Sequence, residues 1–196
     1  MRYSRRAFLG TITSVAGGRG LLAAPQTGLE AFGADTLPCV LDVKATPAVS
    51  RDANYKAGAP MRTAIVAPGQ KGTPLELTGI VAGLSCGPIA NAIIEFWQPD
   101  ASGTFTPAGM NLRGRQRTDS TGRYRLSTII PGSSANRAPS IGVHVIVERK
   151  AELWTALFFP GQAANARDSR FNEALLVTLG GSAASRTGSF DIRLDL

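Results

Sequence analysis

Alternation of apolar and polar residues with a period of two is the strongest constraint this chain places on its fold. In Ser189-Phe190-Asp191-Ile192-Arg193-Leu194-Asp195-Leu196 every second residue is apolar. Ile141, Val143, Val145 and Val147 repeat the pattern, with Gly142, His144, Ile146 and Glu148 opposite. Successive side chains of a strand point to opposite faces, so such runs bury one face of a sheet. Further strands are expected at 76–82, 92–98, 122–128, 153–159 and 174–179. Turn formers separate them: Asp100-Ala101-Ser102-Gly103, Asp119-Ser120-Thr121-Gly122, Pro131-Gly132 and Pro160-Gly161. Many short strands punctuated in this way predict an all-β chain, an antiparallel sandwich or barrel. No long helix is expected past residue 36. Residues 37–74 are proline-rich and irregular, an arm laid over the sandwich rather than a second domain. The expected organisation is a leader at 1–34, an N-terminal arm at 35–74 and the β-sandwich at 75–196.

The leader reading rests on Ser4-Arg5-Arg6-Ala7-Phe8-Leu9, a paired-arginine start followed by a weakly apolar stretch to Ala16 and then Gly17 and Gly18. This is the pattern of a twin-arginine export signal, with cleavage expected near Gly33 or Ala34 and a periplasmic or secreted product. An amphipathic helix fits less well, because Gly10, Gly17, Gly18 and Gly20 weaken it. An oxidising destination makes Cys39 and Cys86 candidates for a disulfide closing a 46-residue segment. In the entropic model such a link restricts the unfolded chain by about 3–4 kcal/mol.

Composition excludes several functions. Two cysteines cannot form a four-thiolate zinc site, and one histidine cannot supply two imidazoles. No apolar run approaches the roughly 18–20 residues that span a bilayer, so no stable membrane insertion is expected. The net charge of +7 falls to about +4 without residues 1–34, where Arg2, Arg5, Arg6 and Arg19 face Glu30 alone. Arg113, Arg115, Arg117, Arg123 and Arg125 form a local concentration. With no aromatic stacking platform beside them, they read as a solvated strand face or an anion-attracting rim rather than a nucleic-acid site.

Several strings in order resemble the intradiol ring-cleavage dioxygenases, in particular their exported bacterial protocatechuate/catechol dioxygenase-like branch. These are Cys39-Val40-Leu41, Ser50-Arg51-Asp52, Gly72-Thr73-Pro74-Leu75-Glu76-Leu77 and Cys86-Gly87-Pro88-Ile89-Ala90-Asn91-Ala92. Then follow Ile94-Glu95-Phe96-Trp97-Gln98-Pro99-Asp100-Ala101-Ser102-Gly103, Leu112-Arg113-Gly114-Arg115-Gln116 and Thr118-Asp119-Ser120-Thr121-Gly122-Arg123-Tyr124. The series closes with Thr128-Ile129-Ile130-Pro131-Gly132 and Thr155-Ala156-Leu157-Phe158-Phe159-Pro160-Gly161. The resemblance implies a β-sandwich of transthyretin-like/intradiol-dioxygenase type. It also implies a ferric ion held by two tyrosinates and two histidines, on which a catecholate is activated towards dioxygen.

The ligand positions that the resemblance implies are filled differently here. The first tyrosine position is Phe105 and the second, after Pro131-Gly132, is Ser134. Arg137 of the histidine motif is kept, but the His-x-His pair reads Ser140-Ile141-Gly142. His144 shares their strand face, two residues or about 6.6 Å further on, so only a register slip would bring it to the second histidine position. Glu148 is the one carboxylate expected on that face, and a satisfied or exposed strand histidine is the expected role of His144. Tyr55 falls in the arm, Tyr124 at a structural position, and Ala156 where a glutamine lies near substrate.

The expectation is therefore an exported, catalytically degenerate relative with no catalytic residue assigned, no metal and no cofactor. Phe105, Ser134, Arg137, Ser140, Gly142 and His144 would line its vacated pocket. Its partner would be a small aromatic or anionic ligand, with Arg137 as the pairing group, or a ligand-complete paralogue or a second copy of itself. Alternatives are the non-metal subunit of a ring-cleavage enzyme, with iron on a ligand-complete paralogue or in an atypical site, and a binding module for an envelope polymer or protein.

Overall fold

The computed structural model describes residues 43–134 and 137–196, and the leader, Cys39 and the opening of the arm lie outside them. Nine strands form two sheets. They are β1 (Pro74–Gly83), β2 (Ile93–Trp97), β3 (Arg113–Arg117), β4 (Arg123–Ile129), β5 (Ser140–Val147), β6 (Ala151–Phe158), β7 (Thr178–Gly181), β8 (Arg186–Ser189) and β9 (Ile192–Leu194). One sheet runs β4-β1-β8-β7 with β9 also on β1, and the other runs β3-β2-β5-β6. Two single-turn 3-10 segments, Asn165–Arg167 and Glu173–Leu175, are the helical elements among the described residues.

The alternation read from the sequence is what closes the sandwich. Leu75, Leu77 and Val81 of β1 and Leu126 of β4 face Ile94 and Phe96 of β2 and Ile141, Val143 and Val145 of β5. Each fully buried aliphatic or aromatic side chain contributes about 1.5–3 kcal/mol. Turn chemistry joins the strands as the sequence suggests. The Asp119 carboxylate accepts from the Thr121 and Arg123 amides at 2.8 and 2.9 Å, with Gly122 in the left-handed region. Asp100 does the same with the Ser102 and Thr104 amides, and the Ser102 hydroxyl, followed by those amides, holds its carboxyl below the usual carboxylate range.

Three expectations are corrected. The sheets are not wholly antiparallel: β8 and β9 run parallel to β1. The expected terminal strand is two strands, with Phe190 donating its amide to Thr78 and its carbonyl accepting from Tyr124 Oη at 2.7 Å between them. The expected strand at 174–179 begins as a 3-10 turn, capped by the Asn172 side chain on the Ala174 amide, bridges Phe158 at Leu176, and enters the β7–β8 ladder only from Thr178. β3 escaped the sequence reading because Arg113-Gly114-Arg115-Gln116-Arg117 carries no apolar face, yet it pairs along β2 from Trp97–Arg113 to Ile93–Arg117.

The arm positions the rest. The Val49 amide bonds to the Trp154 carbonyl on the β6 edge. At the far edge the Arg62 amide bonds to the Arg115 carbonyl of β3, and the Ile65 amide then reaches the Ser127 carbonyl of β4 in the other sheet. Residues 50–60 therefore cross the outer face of the β3-β2-β5-β6 sheet. A second apolar cluster, with Ala156, Phe158 and Leu175, buries the same face further along.

Gly79 shows how close the β1–β9 junction is, since a Cβ there would overlap the Phe190 carbonyl oxygen. Gly79→Ala is expected to lower stability by about 1–3 kcal/mol. Gly87→Ala, which meets nothing within 4 Å, should be neutral in the same thermal or urea denaturation series.

Candidate functional site

On the outer face of β2, β5 and β6, sequence parity puts Glu95 and Trp97, then Ser140, Gly142 and His144, then Trp154, Ala156 and Phe158 side by side. The strand register pairs Glu95 with His144, Trp97 with Gly142, His144 with Trp154, and Gly142 with Ala156. Because the arm and the second cluster cover this face, β5 is buried on both sides until its last two residues.

The six residues singled out by sequence divide into two groups. Phe105, Ser134, Arg137 and Ser140 line one cavity of about 60 Å³, together with Asp52 and Arg170. Gly142 and His144 lie outside it. The indole of Trp97 lies against Gly142, where any Cβ would overlap it, and its Nε1 is buried without a hydrogen-bond partner among the described residues. Gly142 is thus the complement of a tryptophan rather than a pocket wall. Ala156, paired across from it, is fully buried.

Arg137 is exposed, with no ion-pair or hydrogen-bond partner for its guanidinium among the described residues, while its backbone exchanges two hydrogen bonds with Ser134. The cation inside the cavity is Arg170, which the sequence reading did not single out. Its guanidinium meets both oxygens of Asp168 at 3.1–3.2 Å, Asp52 Oδ2 at 3.1 Å and Ser140 Oγ at 3.4 Å. Both carboxylates and the guanidinium are nearly inaccessible to water. Such bidentate, desolvated pairing makes Arg170 a fixed part of the wall.

His144 occupies a polar cluster of its own. Its Nδ1 lies 3.0 Å from Glu95 Oε2 and its Nε2 2.7 Å from Glu152 Oε1. Tyr55 Oη donates to the same Glu95 oxygen at 2.6 Å, and Trp154 Nε1 donates to Glu152 at 3.0 Å. The Trp154 ring stacks on the imidazole with 3.7 Å between centroids, and Arg51 lies over both Tyr55 and Trp154. The sequence expectation that Glu148 is the carboxylate beside His144 is corrected. Glu95 arrives from the neighbouring strand and Glu152 from across the hairpin, while Glu148 is solvent-exposed in the turn. The satisfied-histidine expectation describes the ring well, since His144 is 5% exposed. The two carboxylates sit at opposite ends of the ring, so they do not converge on one point. Among the described residues no group of three or more His, Cys, Asp or Glu could hold a metal.

The one sequence signal for this cluster was Glu95 itself, a carboxylate inside Ile93-Ile94-Glu95-Phe96-Trp97. A charge placed within a buried strand must be paired. The five arginines also separate. Arg113 is fully buried, with its guanidinium on the Asn54 and Asn111 carbonyls and beside the Phe105 ring, Arg115 is half-buried, and Arg117, Arg123 and Arg125 border an open groove.

Burial, then the hydrogen bond and charge of Glu95, push the Tyr55 phenol up to about 12. The folded state therefore keeps this proton after an unfolded chain has lost it. Stability should fall as pH rises from 10 through about 12, by a contribution that Tyr55→Phe removes. Phenolate absorbance should show Tyr55 silent through the usual range. At neutral pH Tyr55→Phe should cost about 1–3 kcal/mol in denaturant melts, because buried Glu95 loses a donor.

The comparisons agree with this frame. A dioxygenase family model (Dioxygenase_C) matches residues 47–160, more than half of the chain. Catechol 1,2-dioxygenase 1 of Acinetobacter lwoffii is 31% identical over 97 residues, 44% of this chain and 31% of that protein. The 6-chlorohydroxyquinol 1,2-dioxygenase of Cupriavidus pinatubonensis is 36% identical over 70 residues, 33% of this chain and 25% of that protein. The chain thus spans a third or less of the curated relatives it matches. Among solved structures, the dioxygenase domain of a dioxygenase–carbohydrate-binding fusion from Streptomyces sp. SirexAA-E superposes with a TM-score of 0.75 at 34% identity, covering 78% of this chain and 99% of that one. Catechol 1,2-dioxygenase from Acinetobacter sp. ADP1, at 23% identity and a TM-score of 0.69 over 77% of this chain and 63% of that one, shares the fold. With the model match covering both sheets through β6 and these relatives agreeing, the chain belongs to the intradiol ring-cleavage dioxygenase family.

Proposed function

We propose that this chain is an exported, catalytically degenerate member of the family, with a binding or assembly role in place of ring cleavage. The observation that carries this reading is the state of the four ligand positions. Phe105 offers no oxygen, Ser134 and Ser140 offer neutral hydroxyls, and Gly142 offers nothing and is covered by the Trp97 indole. Ferric iron needs hard anionic donors such as phenolate, and the residues present do not fit it. His144 is engaged by Glu95 and Glu152, and Tyr55 is turned into the same network, so neither is offered to a metal between β5 and the Phe105 loop. Fold alone does not carry an activity once its site residues differ.

The full chain, purified and incubated with ferric iron and catechol, should take up no stoichiometric iron, give no ligand-to-metal colour and open no ring. Iron uptake with turnover would overturn the reading. A Cys39–Cys86 link belongs to the export proposal, and intact mass of the periplasmic product with and without reductant reads both the leader cleavage and the link.

A further inference from the structure

The cavity behind Phe105 has an unusual ionic inventory. Two carboxylates, Asp52 and Asp168, serve three guanidiniums: Arg170 inside, Arg137 at the mouth, and Arg113 behind the Phe105 ring at 5.8 Å. Both carboxylates pair with Arg170, and the charge of Asp52 also acts on Arg113. Arg113 is buried with two carbonyls as its hydrogen-bond acceptors, those of Asn54 and Asn111, and its Nε is buried without a partner among the described residues. The two buried carboxylates match the two buried guanidiniums in number, and the exposed Arg137 at the rim is the cation with no counter-ion among the described residues.

The hydrogen-bonding capacity is also one-sided. Ser140 Oγ accepts from Arg170, which leaves its own proton to donate, and the Ser134 hydroxyl has no side-chain partner among the described residues. The Arg137 guanidinium has no partner among the described residues. Asp52, the one carboxylate on the cavity wall, already accepts from Arg170 and from the Asn54 amide and side chain. Among the described residues the space is thus lined by a guanidinium and two hydroxyls with donor capacity in hand. A volume of about 60 Å³ admits about four to six waters but not a substituted aromatic ring.

We infer that this cavity is a binding site for a small carboxylate of the size of formate or acetate, held by Arg137 and the Ser134 and Ser140 hydroxyls. This rests on the reading that the centre binds no iron, and it replaces the aromatic or anionic ligand of the sequence expectation with a specific class. Planar carboxylates suit a guanidinium at the mouth because two N–H groups can meet both oxygens. Arg170, saturated by its own two carboxylates, sets the floor rather than the affinity.

The test is 13C-formate binding to the full chain followed by NMR, with sodium sulfate holding ionic strength constant and benzoate as the size control. The expected result is one saturable site, with a dissociation constant on the order of millimolar, and no competition from benzoate. Arg137→Gln, an exposed change that leaves the thermal midpoint in place, should weaken formate about tenfold. Ser134→Ala should weaken it in the same direction. A linear, unsaturable response, or equal binding by Arg137→Gln, would overturn the inference. If formate fails while iron is also refused, only this inference falls. If iron loads and catechol is cleaved, the reading beneath it falls.

Discussion

Burial of both faces of β5 is the constraint on which the rest of the molecule depends. Its inner face, Ile141, Val143 and Val145, is ordinary sandwich core. Its outer face is sealed by the arm and by the loop cluster around Phe158, so each residue there must be apolar, absent or paired. Ser140 meets Arg170, Gly142 makes room for Trp97, and His144 lies between two carboxylates. The same arm that dries the face supplies Tyr55 to Glu95 and Asp52 to Arg170.

That arrangement explains why the region divides into two neighbouring polar sites instead of one. The Trp97 indole over Gly142 separates the His144 cluster from the cavity at Phe105. On the His144 side each ring nitrogen lies within 3.0 Å of a carboxylate oxygen, and the stacked Trp154 indole donates to Glu152. Such a network fixes the arm in one register, because any slip leaves a buried carboxylate without donors. On the Phe105 side Asp52 and Asp168 hold Arg170, and the exposed Arg137 guanidinium has no ion-pair partner among the described residues.

Most of the sandwich was legible in the chain. Period-two runs located β1, β2, β4, β5 and β6 to within a residue or two, and the Asp-x-x-Gly turns formed as their chemistry required. β3 was not legible, because its arginines are buried or solvated according to the arm above them. The break at Phe190–Asp191 was hidden as well, since unbroken alternation cannot reveal that a chain changes partners along β1. Of the site, the substitutions at Phe105, Ser134, Ser140 and Gly142 could be read directly. Arg170, Asp168 and Glu152 could not, because loops and a hairpin far along the chain deliver them.

By itself, the sequence determined the β-sandwich, the family it belongs to and the shortage of donors: one histidine and three tyrosines in the whole chain. Those follow from residue types and local periodicity, which need no partner to be interpreted. The tertiary structure alone decided which side chains share a space. It gave His144 to Glu95 and Glu152, closed Gly142 beneath Trp97 and set Arg170 into the floor at Ser140. The reason is physical: pairing across strands and the drape of an arm bring together residues tens of positions apart, and only their shared exclusion of water determines their partners.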